Sequence, residues 1–160
     1  MNKPRDIRRL AMQVLYQMDV TREHDRAALA ASIDDEYDAE PVRNHGLDLA
    51  IQAWDSHRDA DAAVSSLTPD WPTHRQPPVD RAILRLAYHE IVSGHAPYKV
   101  AINEAVELAK HYASESSPPF INGVLDKLAK QLDSEGRLPT VKQPDPPESP
   151  DAWLSDAEDR

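Results

Sequence analysis

The chain has 160 residues, a formal net charge of -10 and no cysteine. That length suits one domain with a real core, and the missing thiols exclude disulfides, thiolate-held metals and cysteine nucleophiles. The acid excess also argues against a protein that attracts nucleic acid by a general positive field. No apolar run approaches the ~20 residues of a membrane-spanning helix, and Met1 opens no signal-peptide pattern. The expected location is therefore the cytoplasm, without a membrane partner.

Few stretches alternate with a period of two, and β-branched residues are sparse, so residues 1–133 read as helices. The first is predicted from Pro4 to Val20, with proline in its first turn. Ile7, Leu10, Ala11, Val14, Leu15 and Met18 form its apolar stripe. A second, weaker helix is predicted within Arg26–Tyr37. A third is predicted over Val42–Leu67, with Leu47, Ala50, Ile51 and Trp54 on one face. Thr68–Pro78 is a proline-interrupted connection, with Trp71 expected to pack over the core. The fourth helix begins near Pro78 and ends at Gly94, a residue suited to a helix C-terminus. The fifth runs over Tyr98–Ala113. The sixth has Ser117 as its expected N-cap, then Pro118, and a core stripe of Ile121, Val124, Leu125, Leu128 and Leu132. Residues 134–160 hold five prolines and seven acids against three bases. Such a segment buries too little apolar surface to offset chain entropy and is expected to be a disordered tail. Trp153-Leu154 is its only apolar pair, read either as two incidental hydrophobes in a solvated tail or as a short recognition element that folds on a partner.

Charge is unevenly distributed. Residues 1–18 carry Lys3, Arg5, Arg8 and Arg9 against Asp6, a local balance of +3. At ~100° per residue, Arg5, Arg9, Met12 and Tyr16 fall within about 60° of one another, opposite the apolar stripe. Arginines in a first helical turn oppose the helix dipole, whereas the free N–H groups there favour phosphate. Guanidinium forks beside an aromatic ring can hold a single strand by its backbone and stack on a base. A purely solvated face fits the same pattern.

No catalytic or metal-binding constellation appears. Glu104, Glu107 and His111 share the polar side of the fifth helix, but no second cluster supplies further ligands, and no His-Glu-x-x-His pair occurs. Glu90 projects into the apolar arc of Val79, Ile83, Leu86, Ala87 and Ile91. A buried carboxylate needs partners, and the expected ones are backbone N–H groups at the start of the fifth helix. In the sixth helix Asn122, Gly123 and Asp126 face away from the leucines. A mid-helix glycine costs about 1 kcal/mol, so close approach of a packed helix or of a ligand is expected at Gly123.

The stretch Pro97-Tyr98-Lys99-Val100-Ala101-Ile102-Asn103-Glu104-Ala105-Val106-Glu107-Leu108-Ala109-Lys110, then Phe120-Ile121-Asn122-Gly123-Val124-Leu125-Asp126-Lys127, with Val79-Asp80-Arg81-Ala82-Ile83-Leu84-Arg85-Leu86-Ala87 upstream, closely resembles the C-terminal half of the NusB family of bacterial transcription antitermination factors. The resemblance covers roughly residues 3–20 and 70–130. It implies an all-α domain of about six to seven helices in two packed subdomains, no enzyme activity and no cofactor. It further implies binding of boxA RNA with the ribosomal protein NusE, within the RNA polymerase antitermination complex, and read-through chiefly of ribosomal RNA operons. The residues carried over to RNA are Arg5, Arg8, Arg9, Gln13, Tyr16, Phe120, Asn122 and Lys127. Asp80 is carried over to the partner surface. Asp6 interrupts the arginine cluster, and Pro118-Pro119 stand where the family often has polar or basic residues. Two other readings compete: a NusB-like module cut from an RNA cytosine methyltransferase, whose cysteine nucleophile is absent here, and a helical protein-protein scaffold, with a homodimer as one form.

Overall fold

The computed structural model describes residues 3–33 and 38–139. Seven α-helices and no strand occur among them: α1 Lys3–Thr21, α2 Arg26–Ala31, α3 Glu40–Asp55, α4 His57–Leu67, α5 Pro78–Ser93, α6 Tyr98–Tyr112 and α7 Ser117–Ser134. The expected all-α architecture is thus present. α5 lies at the centre and touches α1, α3, α4, α6 and α7. α1 packs mainly on α3 and α5, and α6 mainly on α7. One continuous cluster of buried side chains joins both groups, including Leu15, Met18, Ile83, Leu86, Ile91, Ile121 and Leu125. Each such side chain contributes about 1.5–3 kcal/mol by leaving water.

The long third helix expected from sequence is two helices. Ser56 breaks it: its Oγ donates to the Ala53 carbonyl at 3.2 Å, and the His57 ring contacts the Trp54 carbonyl. Side chains compete here for backbone acceptors, without any glycine or proline to mark the break. His57 then stacks on Trp54, with ring centroids 3.9 Å apart. α2 is shorter than expected, ending at Ala31, and residues 34–37 of the predicted segment lie outside the described residues.

α5 closes as expected, with Gly94 in the left-handed region at φ 74°. At α7 the cap differs. Ser116 is the N-cap, and Ser117 is the first helical residue, buried, with its hydroxyl turned to Asp80. Trp71 is 44% exposed and does not pack over the core. Gln76 is buried there instead and donates its amide to the Trp71 carbonyl at 3.1 Å.

α7 ends in a Schellman closure. Arg137 N–H donates to the Leu132 carbonyl and Gly136 N–H to that of Asp133, with Gly136 at φ 68°. Leu138 then packs partly buried against the core. The chain therefore stays on the body past residue 134, and the remainder of the expected tail, Trp153-Leu154 included, lies outside the described residues.

Candidate nucleic-acid interface

α1 is buried more widely than its sequence stripe suggests. Met12, expected beside the arginines, belongs to the core with Leu10, Ala11, Val14, Leu15 and Met18. The reason is that α1 lies against both α3 and α5. What remains outward is a narrow row in which Arg5, Gln13, Tyr16 and Val20 are exposed, while the Arg9 side chain on the same side is largely buried.

The three arginines have different surroundings. Arg5 is solvent-facing and forms an ion pair with Glu104 of α6 at 3.3 Å. Arg8 has a side chain only 12% exposed; its Nε donates to both carboxylate oxygens of Glu90 at 3.0 Å. That removes Arg8 from the outward row. Its role is to compensate the buried Glu90, which also meets His95 Nδ1 at 3.2 Å. The expected backbone partners of Glu90 at the start of the fifth helix are thus corrected: two side chains serve instead. Arg9 donates to Asp38 at 2.6 Å and to the side-chain Oε1 of Gln13 at 3.2 Å.

In α7, Asn122 and Lys127 are exposed, while Phe120 is partly buried against the core. At ~100° per residue Phe120 and Lys127 share one flank, and Asn122 lies roughly 160° away. The two expected contacts Phe120 and Asn122 therefore do not sit side by side. Gly123 is open: a Cβ built there meets nothing within 4 Å. Helix packing, one of the two expectations for this glycine, is not found among the described residues.

Asp80, expected on a partner surface, is buried. It accepts the Ser117 hydroxyl at 3.0–3.1 Å, joining the start of α5 to the start of α7. Burial pushes its carboxyl above the usual range, and the Ser117 hydrogen bond opposes the rise. The carboxylate is thus a structural link and is not offered to a partner. The Glu107 group is a wet charged face, as its residue types allowed. Lys110 lies 3.2 Å from Glu107 and His111 4.0 Å, and no group able to hold a metal ion occurs among the described residues.

The family model for NusB matches residues 5–130. The chain belongs to the NusB family. A transcription antitermination protein NusB from Herpetosiphon aurantiacus is 39% identical over 134 residues, covering 81% of this chain and 91% of that protein. One from Anaeromyxobacter dehalogenans is 42% identical, covering 78% and 89%. Among solved structures, NusB of T. maritima is similar at TM-score 0.71 and 30% identity, covering 82% of this chain and 92% of that one. A complex of antitermination factors NusB and NusE with double-stranded RNA contains a chain with the same fold, at TM-score 0.71 and 22% identity, covering 82% and 98%.

Within this NusB-family fold, two features had little sequence signal. The first is Tyr112, the last residue of α6. It is 42% exposed and lines a cavity of about 250 Å³ together with Arg9, Gln13 and Gln17 of α1. At ~100° per residue Tyr112 falls on the same side of α6 as Ala105, Leu108 and Ala109, and only its polar tip hints at exposure. The second is Arg85, a buried guanidinium gripping Asp61 at 2.7 and 2.9 Å and approaching Asp19 at 3.4 Å. It braces α1, α4 and α5. Its place in an apolar helix was visible, but its partners lie in distant segments.

Proposed function

We propose that this chain is a transcription antitermination factor that binds boxA RNA together with the ribosomal protein NusE and promotes read-through, chiefly of ribosomal RNA operons. It acts in the cytoplasm by binding, not by catalysis. The observation that carries this reading is the outward row Arg5, Gln13 and Tyr16 on α1, left uncovered in a chain of the NusB family. Guanidinium, amide and phenol groups in one row supply charge for phosphate, hydrogen bonding for a base edge and a ring for stacking. Lys127, Asn122 and Phe120 on α7 extend the surface. The acidic body repels RNA at long range, and a basic ribosomal partner offsets that repulsion. Asp80 is not the contact for this partner; exposed acids of the body are.

The test is an anisotropy titration of the full chain with boxA and scrambled RNA, with and without NusE. Preference for boxA, tightening by NusE and weakening by Arg5→Ala are expected. Equal binding of both RNAs, unchanged by NusE, would refute the proposal.

A further inference from the structure

Among the described residues six large hydrophobic side chains are exposed, and two of them, Tyr98 and Val100, lie together in the first turn of α6. Lys99 stands exposed between them, its Nζ 6.0 Å from the centre of the Tyr98 ring. The charge around this pair sets it apart from the other four. Tyr16 and Val20 have Asp19 close by in sequence, Trp71 has Asp70 and Tyr112 has Glu115, whereas residues 91–103 contain no acid. Glu104, the first acid beyond, is engaged by Arg5 at 3.3 Å. Glu90, the last acid before, is buried and held by Arg8. No side chain caps the start of α6, so the positive end of its dipole adds to Lys99. An apolar patch in positive surroundings fits a hydrophobic segment bracketed by acids.

This chain carries such a segment. Asp151-Ala152-Trp153-Leu154-Ser155-Asp156 is an apolar pair between acids, and residues 145–159 hold six acids and no base. The described chain ends beside the patch. Pro139 lies over Gly94, where an added Cβ would stand 3.4 Å from Pro139 Cβ. Tyr98 is four residues past Gly94, a span of at most about 14 Å. The 14 residues from Pro139 to Trp153 can cover up to about 50 Å, so the tail reaches the patch with chain to spare. Tethering holds the segment at an effective concentration of about 1 mM. An intrinsic Kd of that order then keeps it in place half of the time, whereas a second copy would need the same concentration in solution. We infer that the Trp153-Leu154 segment docks on the Tyr98-Lys99-Val100 patch of its own chain, with its apolar pair against Tyr98 and Val100 and its acids toward Lys99. This goes beyond the RNA-binding reading and does not depend on it.

The test is fluorine NMR of the full chain labelled with fluorotryptophan. Its three tryptophans give three resonances, and Trp153→Phe identifies that of Trp153. In the folded chain this resonance is expected to stand apart from its position in the urea-unfolded chain and to stay there on dilution. Val100→Asp puts an acid in the first turn of α6, where the helix dipole favours it. Tm is therefore expected to hold while the Trp153 resonance moves to its unfolded position. Lys99→Glu is expected to move it in the same direction. Val20→Asp, at an exposed hydrophobic of α1, is expected to leave it in place. A Trp153 resonance already at the unfolded position in the wild-type chain, or one that ignores Val100→Asp or follows Val20→Asp, would overturn the inference. A resonance that reaches the unfolded position on dilution would overturn it too, by assigning the segment to a second copy of the chain.

Discussion

Two glycines in helices offer a test with opposite signs. A Cβ on Gly46 of α3 would stand 2.8 Å from Leu10 Cδ2 and 3.0 Å from Leu10 Cβ and Cγ. A Cβ on Gly123 of α7 would meet nothing within 4 Å. Replacing a helical glycine by alanine gains about 0.5–1 kcal/mol in backbone entropy. At Gly123 that gain stands alone, so Gly123→Ala is expected to raise Tm by roughly 1–4 °C. At Gly46 the same gain opposes overpacking, which costs about 1–3 kcal/mol. Leu10 cannot escape by rotating its tip, because its own Cβ is among the crowded atoms; α1 must move off α3. Gly46→Ala is therefore expected to be destabilising, by up to about 2 kcal/mol. Urea melts with unchanged slope would report both variants as stability effects. Should Gly46→Ala stabilise as much as Gly123→Ala, the close approach of α1 and α3 would be refuted.

Glu90→Ala leaves the Arg8 guanidinium largely buried without its carboxylate and is expected to cost about 3–5 kcal/mol in urea unfolding, with a smaller further cost when Arg8→Ala is added. Arg5→Ala is expected to lower the slope of log affinity against log salt by about 0.7 without changing Tm, whereas Arg8→Ala is expected to lower Tm. Ser117→Ala removes the hydroxyl from buried Asp80 and is expected to cost about 1.5–3 kcal/mol at neutral pH, measured by urea unfolding. The raised carboxyl of Asp80 holds its proton more tightly in the folded chain than in the unfolded one. Its contribution to stability is thus present in acid and is lost as pH rises through the raised value. Asp80→Asn, which cannot ionise, is expected to gain on wild type between acid pH and neutrality, read as the difference in urea midpoints.

The helical architecture was legible because apolar periodicity and glycine or proline punctuation agree along most of the chain. Pro78 and Gly94 bracket α5 as their backbone preferences dictate. The break at Ser56 was hidden because serine and histidine side chains make it, and neither residue type forbids a helix. The outward row was partly legible: Arg5 and Tyr16 face solvent, while Met12 does not. Angular position shows which way a side chain leaves its own helix and is silent about what arrives from elsewhere. Glu90 and Asp38 arrive from segments far along the chain and occupy Arg8 and Arg9. Asp80 was misplaced for the same reason, since Ser117 covers it from another helix.

The pairing of Arg9 with Asp38 bears on how this chain sorts among the many transcripts it encounters. A guanidinium already spoken for adds little indiscriminate pull on polyanions, so bulk RNA gains a weak foothold. Discrimination then comes from shape and edge chemistry, and rising ionic strength should strip away the wrong transcripts before the right one.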